Sequence, residues 1–186
     1  MSFEEKTITS RTIYEGRIIS LKLDEVEMPD GRISSREIVN HPGAVAIIAI
    51  TDQDQMVMVK QYRKPLEKTI IEIPAGKLEK GEKPEECALR ELQEETGYTA
   101  KSLLHIASFY TSPGFADEII HLFWADQLVK GENAPDDGEF VELVEITWDE
   151  AKDLLKSGVI IDAKTILALY VWENYRLKTK GDEKFL

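Results

Sequence analysis

The chain has 186 residues, 42% of them hydrophobic and 31% charged, which suits one soluble globular domain with a sizeable core and a small appended element. A net charge of -12 makes nucleic-acid backbones and anionic membrane surfaces poor partners, so an anionic substrate needs local cations. The single cysteine, Cys87, excludes an intramolecular disulfide. The start "MSFEEKTITS" lacks the basic and apolar regions of a signal peptide, and the longest apolar run, "AVAIIAI", is too short to span a bilayer. A cytoplasmic location is the resulting default.

The first forty residues read as short strands, with Pro29-Asp30-Gly31 as a turn before "RISSREIV". They are too few for a core of their own, so residues 1–41 are expected to form a small antiparallel element that pairs two copies in a homodimer. The main domain is expected over 42–180, with a tail at 181–186. "AVAIIAI" and "QMVMVKQYR" suggest two strands joined as a hairpin by the polar "TDQDQ". "TIIEIP" reads as a further strand, and "PAGKLEKGE" as a loop.

A helix follows, with Pro84 suited to its first turn and Gly97 just past its end. "KSLLHIASFY", "EIIHLFWADQL" and "EFVELVEI" read as strands. Thr147 and Glu150 form a capping box for a helix over Trp148–Lys156, and Asp162 can cap a last helix over "AKTILALYVWENYRL". Strands, helix, strands, helices is the order of a mixed α/β or α+β domain.

The first helix poses a chemical problem. A step of about 100° per residue gathers Glu91, Glu94 and Glu95 on one arc, with Ala88, Leu89 and Leu92 on the adjoining arc that faces a core. Like charges three and four residues apart repel, so a cation must balance them. Hard divalent cations take oxygen ligands, and magnesium keeps several positions for water and substrate phosphates. Glu91 and Glu95, one turn apart, can both point at such an ion, and Glu94 can reach it or a second one. Arg90 on the flank can orient a glutamate.

Gly76, five residues, Glu82, seven residues, then "RELQEETGY" resembles the Nudix box of the Nudix hydrolases, with Tyr98 standing where that family usually has an aliphatic residue. The resemblance implies an α/β/α sandwich with a mixed sheet. It also implies Mg2+, or a substitute such as Mn2+, held by Glu91, Glu95 and Glu94 with the Ala75 carbonyl. Glu82 matches a supporting position of the box.

Further along, "YTSPGFADE" places Pro113 sixteen residues after Gly97. With "REIVNHPGAVAIIAI", "VKQYRKPLE" and "EIPAGKLEKGE", it resembles the ADP-ribose pyrophosphatase subgroup. That resemblance implies magnesium-dependent hydrolysis of ADP-ribose to AMP and ribose 5-phosphate. Arg36 and Arg63, with Pro113, Gly114 and Glu118 of the later loop, become candidate substrate-binding residues. The alternatives are another nucleotide sugar, such as an ADP- or GDP-hexose, and a non-catalytic sensor of ADP-ribose.

Carboxylates bound to metal are poor general bases, because the cation lowers their proton affinity. The loop "VKGENAPDDGEFVEL" offers others: Glu139 first, then Glu142, Asp137 and Asp136. Glu94 and Arg90 complete the catalytic candidates.

Overall fold

The computed structural model describes residues 2–131 and 140–179. Strands β1 (Lys6–Glu15), β2 (Ser20–Glu27) and β3 (Ile33–Asn40) form an antiparallel sheet in that order. The turn between β2 and β3 closes where Gly31 takes a φ of +82°, a conformation that costs glycine little, and its N–H donates to the Met28 carbonyl at 2.8 Å. Every residue of β1 is exposed.

Two further sheets make the main body. The first contains β4 (Ala44–Ala49), β7 (Ala75–Lys77), β8 (Tyr98–Tyr110) and β9 (Ile119–Lys130) in the order β7-β4-β9-β8. The second contains β5 (Gln55–Arg63), β6 (Lys68–Glu72) and β10 (Val141–Thr147) in the order β10-β5-β6. Strands β4 and β9 run parallel; their neighbours are antiparallel, so the four-stranded sheet is mixed.

The expected hairpin between β4 and β5 forms only its turn. Thr51 and Gln55 bond across it, a bridge joins Ile50 to Met56, and the two strands then diverge into different sheets. All six residues of β4 are buried, because apolar layers cover both of its faces. Val45, Ile47 and Ala49 pack with Cys87, Ala88 and Leu92 of helix α1 (Pro84–Thr96). Ala44, Ala46 and Ile48 point the other way, into a core shared with Ala151 of α2 (Trp148–Lys156) and Ala168, Leu169 and Trp172 of α3 (Ala163–Thr179). Helices thus cover both faces of the sheet, as an α/β/α sandwich requires. Each large aliphatic side chain buried in this way contributes about 1.5–3 kcal/mol.

The expected loop at "PAGKLEKGE" contains β7, whose Gly76 pairs with Val45. Helix ends follow the sequence cues: Pro84 opens α1, Gly97 at φ 73° closes it, and Thr147 and Glu150 bond reciprocally at the start of α2. Asp162 accepts from the Thr165 N–H at 3.0 Å, capping α3. No helix among the described residues is long and apolar enough to cross a membrane.

Candidate active site

Helix α1 turns two of its acids inward. Glu91 is 9% exposed and Glu95 4%, on a buried stripe with Cys87, Ala88 and Leu92, while Leu89 is exposed. The core-facing arc is therefore rotated from the expected one: Cys87 takes the place given to Leu89, and Glu91 and Glu95 continue its row at four-residue steps. Glu94 stays at the rim.

Arg90 joins these acids. Its Nε and Nη2 donate to the two oxygens of Glu82 at 2.9 and 3.0 Å, and Nη1 donates to Glu91 at 2.8 Å and Glu94 at 2.9 Å. This guanidinium thus balances part of the charge of Glu82, Glu91 and Glu94, a larger part than the flanking one the sequence gave Arg90. Hydrogen bonding to Arg90 brings the Glu82 carboxyl down from 4.5 to about 2. The same acids hold Arg90 well above the ordinary arginine range. Burial first, then the charge of Glu82, pushes the Cys87 thiol up to about 12, so it is a packing residue and no nucleophile.

The strand at Ala75 and Gly76 lies directly over this helix face. Glu95 accepts from the Ala75 N–H at 2.9 Å. A Cβ on Gly76 would stand 1.8 Å from Cδ of Glu91, so only glycine lets the backbone pass so close.

Glu91, Glu95, Ala75 and Gly76 line a cleft of about 620 Å³, a volume in the range of nucleotide and cofactor sites. Arg63 and Glu118 line it as well, as do Lys164 and Asp162, which the sequence reading did not place at the site. Glu72 lies behind them, 1% exposed, bonded to Arg63 and Lys164. Among the described residues the lining holds four carboxylates, Glu91, Glu95, Glu118 and Asp162, against three cations, Arg63, Lys77 and Lys164. An anionic diphosphate therefore meets a surplus of negative charge unless it brings a cation.

The remaining candidates lie elsewhere. Arg36 on β3 forms a two-bond pair with Glu5, outside the cleft. Pro113 and Gly114 form the exposed tip of a turn in which Phe115 and Ala116 bond back to the Ser112 carbonyl, and only the base of that loop reaches the cleft. Glu118 there accepts from the Thr111 hydroxyl at 2.6 Å. Glu142 on β10 pairs with Lys60 at 3.1 Å and does not line the cleft. Glu139, Asp136 and Asp137 lie outside the described residues.

The fold and the glycine-tethered acidic helix define a Nudix protein: the family profile described as "NUDIX domain" matches residues 40–169, and the chain belongs to that family. Residues 5–39 match the profile "Nucleoside diphosphate sugar hydrolase N-terminal domain". The chain is 57% identical to "ADP-ribose pyrophosphatase" of Bacillus subtilis (strain 168), over 90% of this chain and 92% of that one. It is 59% identical to "Methanol dehydrogenase activator" of Bacillus methanolicus, over 90% and 91%. A solved structure, "Crystal structure of ADP compounds hydrolase", superposes with a TM-score of 0.83 over 98% of this chain and 99% of that one; at 22% identity it supports the fold.

Nudix hydrolases generally need a divalent metal ion. The donor set here fits one: Glu91 and Glu95 offer hard oxygen ligands one helical turn apart, beside a backbone that Gly76 keeps clear. Among the described residues, no three His, Cys, Asp or Glu side chains stand in a ready-made metal cluster. Substrate and water oxygens are what such an ion commonly uses to complete its shell.

Proposed function

We propose that this protein hydrolyses the diphosphate bond of ADP-ribose, giving AMP and ribose 5-phosphate, with Mg2+, or Mn2+ in its place. The observation that carries the reading is the cleft in which Arg63 shares a wall with the inward-turned Glu91 and Glu95. The 57% identity to an ADP-ribose pyrophosphatase over nine-tenths of the chain supports the choice of substrate.

In this reading Glu91, Glu95 and Glu94, with the Ala75 carbonyl, hold the metal. When bound, the ion supplies neutralisation of diphosphate charge and acidification of water. Arg90 fixes the carboxylates of Glu91 and Glu94 so that they need little reordering on binding. Arg63 donates to a phosphate oxygen, and Glu118 with the loop carrying Pro113 and Gly114 borders the sugar end. Glu139 takes the proton from the attacking water. Arg36, paired with Glu5, contributes to substrate only if binding or assembly breaks that pair.

The reading takes residues 1–41 as a pairing element of a homodimer, 42–180 as the hydrolase domain and 181–186 as a tail. It places the protein in the cytoplasm, acting on a small nucleotide sugar and not on nucleic acid or membrane. A second reading follows from the relative named as a methanol dehydrogenase activator: this chain also acts on a methanol dehydrogenase. Adding the protein to that enzyme and following alcohol oxidation tests it.

The main reading is tested with Glu91→Gln and Glu95→Gln. Each removes a charged ligand, so each is expected to lower metal-dependent turnover of ADP-ribose by about 10²-fold or more, the usual scale for losing an electrostatic group at the reacting centre. Melting temperatures without metal should stay within a few degrees of wild type, since the amide oxygen can still accept from Arg90 or from the Ala75 N–H while repulsion among the acids falls. Near wild-type turnover in Glu95→Gln contradicts the assignment.

A further inference from the structure

Glu72 and Lys164 belong to no part of the Nudix box, yet they form a buried charged pair beside the cleft. Glu72 ends β6 and Lys164, 8% exposed, lies in the first turn of α3. One oxygen of Glu72 accepts from Arg63 Nε at 2.6 Å, and the other accepts from Lys164 Nζ. Lys164 also pairs with Asp162 Oδ2 at 3.0 Å, so the cap of α3 anchors the lysine in turn.

Arg63 is held through Nε alone. Among the described residues no other side chain bonds it, and the guanidinium lies near enough to Glu95 and Asp162 to feel their charge. Its two terminal amino groups are therefore available to an anion in the cleft that Arg63 lines. A buried ion cluster is a weak device for stability, because desolvation offsets much of the attraction. Fixing a long, flexible side chain in advance has another benefit: less ordering remains to be done when an anion binds.

We infer that Glu72 and Lys164 are positioning residues that preset Arg63 for a phosphate of the bound nucleoside diphosphate. Lys164 holds one oxygen of Glu72 so that the other stays on Arg63 Nε. With Lys164 removed, the Glu72 carboxylate is free to turn, and Arg63 loses its frame. The nature of the anion rests on the diphosphatase reading; the positioning itself can be read without turnover, with inorganic pyrophosphate in the presence of magnesium in every binding measurement below.

The test is Lys164→Met. It is expected to raise KM for ADP-ribose about tenfold with kcat within about twofold, and to weaken pyrophosphate binding in calorimetry by a similar factor. In an Arg63→Ala background the same substitution should change either quantity by less than about twofold, because its effect passes through Arg63. Lys164→Arg should recover most of the loss. A purely structural lysine would lower the melting temperature, leave KM unchanged and act independently of Arg63.

Should Lys164→Met not fold, the wild-type protein answers directly. The Arg63 Nε–H signal, assigned by its loss in Arg63→Lys, should exchange slowly with solvent before any ligand is added and shift little with pyrophosphate. Rapid exchange there, an unchanged KM in Lys164→Met, full additivity with Arg63→Ala, or no pyrophosphate binding by wild type overturns the inference. A wild-type protein that binds pyrophosphate but leaves ADP-ribose intact defeats the substrate reading instead.

Discussion

At the scale of single residues, Gly76 and Glu82 give the sharpest expectations. Gly76→Ala places a methyl group 1.8 Å from Cδ of Glu91. The obstructed group is the end of a side chain, so it can swing away and the fold should survive, but Glu91 is then misplaced. Metal-dependent turnover should fall about 10²-fold, the scale of a 1 Å misplacement in a reacting site, while the melting temperature changes by only a few degrees. Wild-type turnover in Gly76→Ala would show that the close approach has no function. The Glu82 carboxyl, brought from 4.5 to about 2 by Arg90, gives a pH signature. A depressed carboxylate contributes stability that is fully present above its unfolded pKa, about 4.5, and lost as pH falls through about 2. Urea unfolding of wild type and Glu82→Gln should therefore differ at pH 6 and converge as pH falls from about 4.5 towards 2. A difference that persists unchanged across that window would mean that the Glu82–Arg90 pair contributes nothing through charge. The box spacing makes Gly76, Glu82 and Arg90 legible in the sequence. Glu72 and Lys164 carry no local signal, because their pairing spans 92 residues and exists only once β6 and α3 meet.

At the scale of elements, boundaries follow local rules and sheet membership does not. Pro84 and Gly97 mark the two ends of α1, and the Thr147–Glu150 capping box marks the start of α2, so those helices are readable from the chain. The β4–β5 pair reads as a hairpin because the turn chemistry is right, yet burial of both faces of β4 sends its edges to β7 and β9 instead. Strand β7 is hidden in a Gly/Pro-rich stretch because its pairing comes from β4, far back in the sequence, where Val45 meets Gly76, and not from its own propensity. The sheet of β1, β2 and β3 leaves Ile8, Ile13, Tyr14 and Ile33 exposed, more apolar surface than a three-stranded sheet comfortably presents to water. The proposed homodimer covers it. Light scattering should report twice the chain mass at micromolar concentration, and Ile8→Glu with Ile13→Glu should shift the protein towards monomer. A wild-type monomer under those conditions contradicts the assignment of residues 1–41.

At the scale of the molecule, charge decides how substrate can bind. The chain carries a net -12, and among the described residues the cleft lining has four carboxylates against three cations, one of which, Lys164, is already committed to Glu72 and Asp162. A diphosphate entering alone would add negative charge to an acidic wall, at an energetic cost that grows where water is excluded. A divalent ion bound with it offsets the charge that the diphosphate adds, so the proposed metal dependence follows from the charge of the cleft as well as from the acidic helix. A mixed α/β domain is legible from the order of elements, and the α/β/α sandwich only through the resemblance to the Nudix hydrolases, whereas the cleft wall is not legible, since β5, β7, β8 and α3 contribute to it from distant parts of the chain. The most direct measurement is phosphorus NMR of the purified protein with ADP-ribose, with and without magnesium. The account predicts that the diphosphate signals are replaced by those of AMP and ribose 5-phosphate only when the metal is present, and that Glu95→Gln leaves them in place. Intact ADP-ribose in the presence of magnesium or manganese, or equal cleavage after the metal is removed by chelation, would contradict it.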